Sequence, residues 1–184
     1  MLEGPRAAKL KELSKIISLA SSIFFSSMDS QSIIGELFPQ LFNEHNLENL
    51  RVIVQDGNPI SHVGIWEGSI LIHGSTFKVG MIGAVCTHPD HRGKGYASAL
   101  VKDAFAKMKA DHVDFVLVSG FRDLYKRAGY VEAGRIYRYR INRKDFNIEK
   151  NDLSVVPYEK SFLRKLVKIY QREPVRYRRS LEAV

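Results

Sequence analysis

The chain has 184 residues, of which 45% are hydrophobic, 10% aromatic and 26% charged; this suits one domain with a small appendage and excludes wholesale disorder. A single cysteine, Cys86, excludes a disulfide scaffold and fits a reducing cytoplasm. The net charge of +8 points to a polyanion such as nucleic acid, an acidic membrane or a phosphorylated cofactor, but residues 160–184 alone carry +6 of it.

The longest apolar stretch, residues 16–25, is interrupted by serines and falls short of the ~20 residues a membrane span needs. Lys9, Lys11 and Lys15 precede it as in a signal peptide, yet Glu3, Glu12 and the lack of a small-x-small cleavage site argue for a helix. Leu10, Leu13, Ile17, Ala20 and Phe24 recur at steps of three and four, which predicts a first helix over residues 7–25 with these on one face. A second helix is predicted over residues 30–44, with Ile33, Leu37, Phe38 and Leu41 on one side and Gly35 and Pro39 as weak points. Residues 51–55 form a β-branched run, and Asp56-Gly57-Asn58-Pro59 is a turn. Residues 60–72 read as a strand with Gly64 and Gly68 as bulge candidates. His73-Gly74-Ser75 turns the chain into a strand over residues 77–87.

Beyond the polar residues 88–95 the period becomes helical. Ala97, Leu100, Val101, Ala104, Phe105 and Met108 share one face over residues 96–110. Residues 113–118 are nearly all apolar, the pattern of a strand buried on both faces. Residues 122–128 suggest a short helix ended by Gly129, and residues 130–131 and 135–141 further strands. Arg135, Arg138, Arg140 and Arg143 alternate there as a solvated face. In the tail, Phe162, Leu163, Leu166, Val167 and Tyr170 sit at helical spacing opposite lysines and arginines, an amphipathic helix. The whole is an α/β arrangement around a mixed sheet.

The chemistry concentrates in Val85-Cys86-Thr87-His88-Pro89-Asp90-His91-Arg92-Gly93-Lys94-Gly95-Tyr96-Ala97. A strand ends, Pro89 turns the chain, and two glycines open a helix. The first turn of a helix presents unpaired amides and a dipole that favours an anion. Gly93 and Gly95 keep side chains out of the way, and Arg92 and Lys94 add charge, so the loop suits a diphosphate. It is not a nucleotide P-loop, because His88 stands where that motif has its first glycine and Gly95 where it has Ser or Thr. Nor is it the dinucleotide fingerprint, which has a third glycine at Ser98.

Arg92, Gly95 and Ala97 satisfy Arg-x-x-Gly-x-Ala, and here the sequence resembles the GNAT superfamily of acetyl-CoA-dependent N-acetyltransferases. A second signature follows 29 residues after Gly95: Leu124-Tyr125-Lys126-Arg127-Ala128-Gly129-Tyr130 is similar to that family's Tyr-x-x-x-Gly-aromatic. The core likeness runs from about residue 51 to residue 141. Phe38-Pro39-Gln40-Leu41-Phe42, residues 46–49 and Ser61-His62-Val63-Gly64 further resemble the N-terminal GNAT domain of Eis-like (enhanced intracellular survival) proteins. The resemblance implies a GNAT (acyl-CoA N-acyltransferase) fold with a mixed, mostly antiparallel central sheet flanked by helices. It implies an acetyltransferase domain over residues 1–150, with residues 151–184 a basic helical extension or the start of a following domain.

It also implies a cytoplasmic enzyme that moves the acetyl group of acetyl-CoA, its co-substrate, to a primary amine by direct attack in a ternary complex, without metal. By resemblance, the Val85 amide serves the oxyanion and Val85, Cys86 and Thr87 pair with pantetheine. Arg92, Gly93, Lys94, Gly95, Tyr96, Ala97 and Ser98 hold the pyrophosphate, Ser119 and Gly120 touch the cofactor, and Tyr125 is the general acid. Many such enzymes carry a carboxylate base in the strand before the loop, but residues 77–85 contain none. Glu67, His73 and His62 are the candidates left, acting through water; in Eis-like enzymes the base is the carboxylate terminus of a later domain. Two alternatives stand beside this reading: a non-catalytic CoA-binding module, and, less favoured, a nucleic-acid or anionic-surface binder working through the tail. Cys86 as an acyl-carrying nucleophile and a metal on His88 and His91 are weaker still. The acceptor amine and the oligomeric state, a homo-oligomer included, are not legible.

Overall fold

The computed structural model describes residues 1–25, 33–134, 137, 138, 140 and 156–179. The chain opens with β1 (Leu2–Ala7), a 3-10 turn (Leu10–Glu12) and α1 (Leu13–Phe24), followed by α2 (Ile33–Leu37) and a second 3-10 turn (Glu44–Asn49). Then come β2 (Leu50–Gln55), β3 (Asn58–Ile72) and β4 (Ser75–Thr87). A 3-10 turn at Pro89–His91 leads to α3 (Tyr96–Ala110), β5 (Phe115–Val118) and α4 (Asp123–Arg127), and the tail contributes α5 (Leu163–Tyr170) and β6 (Val175–Tyr177).

The sheet runs in the order β1-β2-β3-β4-β5, with β6 also paired to β3. Every pairing is antiparallel except β4 with β5, which α3 joins as a crossover. The sheet is therefore mixed, mostly antiparallel and flanked by helices. β2 shows why its sequence is a continuous apolar run: Val52 and Val54 face one cluster with Ile16, Leu19 and Ala20 of α1, while Ile53 faces the other with Leu100, Val101, Ala104 and Met108 of α3. Asp56 and Gly57, both at positive φ, close the β2–β3 hairpin in two residues. Arg51 clamps α3 to β2, its Nε 2.6 Å and Nη2 3.2 Å from the Asp103 carboxylate.

Several expectations are corrected. Residues 7–9 are not helical, and residues 10–12 form a 3-10 turn ahead of α1. Residues 2–7 form an edge strand despite Gly4-Pro5, because the outer edge of β2 needs a partner and an edge tolerates proline. Arg6 then reaches Glu12, which is 4% exposed, with two contacts of 2.9 and 2.7 Å, and the guanidinium holds that carboxyl below its ordinary pKa. Starting at Leu13, α1 buries Ile16, Leu19 and Ala20 with Leu13 and Ile17 partly buried against the same cluster, while Phe24 and, in the preceding turn, Leu10 are exposed. The second helix covers only Ile33–Leu37, since Pro39 stops it, and residues 30–32 lie outside the described set. Gly68 stays in register opposite Val79. β5 is half-buried throughout instead of fully enclosed. Residues 130–131 form no strand; residues 137, 138 and 140 lie in no element, and the rest of 135–141 falls outside the described residues.

The chain forms two compact units, Met1–Tyr130 with Pro174–Arg178, and Val131–Glu173 with Arg179–Val184. β6 belongs to the first unit, where it pairs Ile70–Ile72 of β3. In the second, α5 presents half-buried Leu163, Val167 and Tyr170 on one side and exposed Arg164, Lys165 and Lys168 on the other. The Arg179 guanidinium stacks over the Tyr170 ring at 5.7 Å.

Candidate active site

The site begins where the sheet comes apart. β4 stays paired to β3 as far as Thr87, but its pairing with β5 ends at Ile82–Val118. Past that point the β5-facing edge of β4 is open. At the same place β4 carries a bulge: His62 pairs with Cys86 and Gly64 with Gly83, so one extra residue must fit opposite Val63. Ala84 takes up the slack at φ +50, a left-handed conformation that side-chain-bearing residues rarely hold.

Below the bulge the strand end is firmly held. The Ser61 hydroxyl donates to the Cys86 carbonyl at 3.0 Å and lies 2.8 Å from the Thr87 hydroxyl, and the His88 amide donates to the Ile60 carbonyl. His88 then caps the Pro89–His91 turn, and its ring lies 5.8 Å from that of His91. Gly93 and Gly95 have φ of +76 and +78. Open space surrounds both, so glycine is required there by backbone conformation and not by crowding. Gly95 caps α3, and the first intrahelical bond runs from the Ala99 amide to the Gly95 carbonyl. The amides of Tyr96, Ala97 and Ser98 are consequently left facing outward.

A cleft of about 580 Å³ joins these features. Val85, Cys86 and Thr87 line it from β4; Arg92, Gly93, Gly95, Tyr96, Ala97 and Ser98 line it from the loop and helix start. His91, Ile23 of α1, and Arg122, Leu124 and Arg127 around α4 complete it. Among the described residues, three arginines and no carboxylate line this cleft. Lys94, Ser119, Gly120 and Tyr125 do not line it. Lys94 is exposed near His91, and Ser119 is exposed just past the end of β5. Tyr125 is 8% exposed; its ring packs where a side chain on Gly120 would stand and meets Tyr130 at 6.1 Å. Burial raises the Tyr125 phenol pKa above its ordinary value, and the nearby Arg122 charge partly opposes this. The phenol is therefore protonated at neutral pH.

Arg122 and Arg127 are not singled out by the sequence, because Arg122 precedes the second signature and Arg127 occupies one of its unspecified positions. Cys86, 3% exposed, is pushed up to about 12 by burial and is a protonated thiol, not a nucleophile. The three base candidates lie outside the lining. Glu67 pairs with Lys78 at 2.7 Å in the far half of the β3–β4 ribbon, and His73 sits at the ribbon's tip. His62 is fully buried and its imidazole is pushed down to about 4.

A family model for the acetyltransferase (GNAT) domain matches residues 5–133. The N-alpha-acetyltransferase 30 of Saccharomyces cerevisiae is 32% identical over 72 residues, a match covering 36% of this chain and 41% of the yeast protein. Among solved structures, a predicted acetyltransferase from Clostridium acetobutylicum, determined with acetyl-CoA, has a TM-score of 0.59 at 17% identity and covers 80% of this chain and 99% of its own. A GCN5-related N-acetyltransferase from Anabaena variabilis also has a TM-score of 0.59, at 23% identity, covering 73% of this chain and 33% of its own.

Proposed function

We propose, from the premise that this chain belongs to the acetyltransferase (GNAT) family, that it transfers the acetyl group of acetyl-CoA to a primary amine. One observation carries the reading: the open edge of β4, the outward amides of the α3 start and three arginines converge on one cleft. That donor set fits a co-substrate that is anionic at one end and amide-bearing along its arm. Arg92, Gly93, Lys94, Gly95, Tyr96, Ala97 and Ser98 hold the pyrophosphate, joined by Arg122 and Arg127. Val85, Cys86 and Thr87 receive the pantetheine arm along the edge that β5 leaves open, and Ser119 and Gly120 border it past the end of β5.

When bound, acetyl-CoA supplies an acetyl group activated as a thioester. The Val85 amide stabilises negative charge developing on the acetyl oxygen. Tyr125 keeps its proton at neutral pH and serves as general acid for the leaving sulfur. The acceptor to test first is the α-amine of a short peptide, since the yeast relative is by name an N-alpha-acetyltransferase. The likeness of the Phe38–Phe42, 46–49 and 61–64 segments supports an Eis-like subtype, and the lone cysteine supports a cytoplasmic setting. Among the described residues no helix is long and apolar enough to cross a membrane.

Calorimetric titration with CoA tests the first step; absence of binding at millimolar CoA overturns the reading. Tyr125→Phe is expected to lower kcat about 100-fold while leaving CoA affinity unchanged; unchanged turnover removes Tyr125 from the mechanism. A second reading, a CoA-binding module without catalysis, is favoured by the placement of Glu67, His73 and His62 outside the cleft lining. Thiol release from acetyl-CoA across a panel of amines separates the two.

A further inference from the structure

Directly behind the bulge is a group that the proposed chemistry leaves unused. His62 of β3 is 0% exposed, leans on the Phe42 ring at 5.7 Å, and places Nδ1 3.1 Å from the Ala84 carbonyl oxygen. A carbonyl only accepts, so Nδ1 carries the proton and the neutral ring leaves Nε2 a bare lone pair. Nε2 is buried and has no partner among the described residues. An unmet acceptor inside an apolar cluster is unfavourable, and a phenylalanine or leucine would avoid it. Packing alone therefore does not account for a histidine here.

What the histidine does is visible at Ala84. The Ala84 carbonyl and the Val85 N–H belong to one rigid trans peptide, in which they point in opposite directions. Holding the carbonyl toward His62 turns the Val85 N–H away from it, and Val85 is one of the residues that line the cleft. The peptide needs such a hold, because Ala84 sits at φ +50 in a bulge where the regular ladder is interrupted.

We propose that His62 is a positioning residue: by donating to the Ala84 carbonyl it fixes the Ala84–Val85 peptide so that the Val85 N–H faces the acetyl oxygen. The proposal rests on the acetyl-transfer reading of the same cleft. Burial keeps the ring neutral, and the carbonyl selects the tautomer that carries its proton on Nδ1.

The test compares the wild type with His62→Phe, which keeps the ring and loses the donor, and His62→Asn, whose amide nitrogen stands close to Nδ1. Steady-state kinetics, CoA calorimetry and the 15N–1H signal of the Val85 amide are measured on each. In the wild type acetyl-CoA is expected to shift the Val85 signal more than CoA does. His62→Phe is expected to lower kcat about 100-fold, keep CoA affinity within about threefold and abolish the acetyl-specific shift; His62→Asn restores both. A His62→Phe protein that keeps its kcat and its acetyl-specific shift overturns the proposal, and so does a His62→Asn protein as defective as His62→Phe. If His62→Phe does not fold, His62→Leu is read in its place. If the wild type acetylates no amine, the acetyl-transfer reading fails; the acetyl-specific Val85 signal, and its loss without the donor, still decide the role of His62.

Discussion

The two ends of the β3–β4 ribbon are built differently. From Gly64 to Ile72 and from Ser75 to Gly83 the register is unbroken. β5 lies alongside β4, β6 alongside β3, and Met108 closes over Gly80. At this end the Lys78 amide donates to Asp114 at 2.7 Å, and its ammonium meets Glu67. At the other end β5 is gone, the register skips, and Ala84 sits in a left-handed conformation. The difference has a simple cause. A complete ladder uses every amide and leaves none for a ligand, so backbone donors are available only where pairing lapses. The closed end supplies stability that the open end spends.

The contrast can be broken most strongly from the closed end. Met108 is fully buried, so Met108→Ala is expected to lower unfolding free energy by about 3 kcal/mol in urea melts, with CoA affinity of the folded protein unchanged. The open end has its own weakness in His62. Its folded pKa is pushed from 6.5 down to about 4, so the unfolded chain takes up the proton first as pH falls. The stability this represents is present above pH 6.5 and lost progressively toward pH 4, up to about 3 kcal/mol. Melts across that window read it, and His62→Phe should flatten the loss.

Smaller effects sharpen the contrast. Arg92→Ala at the open end should weaken CoA binding about tenfold with little change in Tm. Lys78→Gln at the closed end should do the reverse, costing about 1 kcal/mol of stability and leaving calorimetric CoA affinity as it was. A change in both readouts from either substitution would mean that the two ends are not separable.

Much of this is legible in the sequence. Residues 96–110 form the helix that their apolar residues, at helical steps, and Gly95 as its cap predict. The two hairpin turns at residues 56–57 and 73–74 declare themselves through Asp-Gly and His-Gly. The residues of the cleft from Val85 to Ser98 are contiguous in sequence, so a motif could gather most of them. Arg122 and Arg127 reach the same cleft from a different element, and Ile23 from a third. β1 is not legible in the sequence, which has no strand period there; pairing with β2 makes it a strand. β6 is three residues long and is defined only by lying on β3.

By itself the sequence determined the helices and hairpins with strong periods or turn residues, the anion-suited loop and the family likeness, all of which depend on residues near one another in the chain. Only the tertiary structure decided which edge of β4 is open, where the extra residue of the bulge goes and what His62 holds. Those depend on how strands of unequal length meet, since a register skip satisfies pairing over the whole ribbon and not at any one residue.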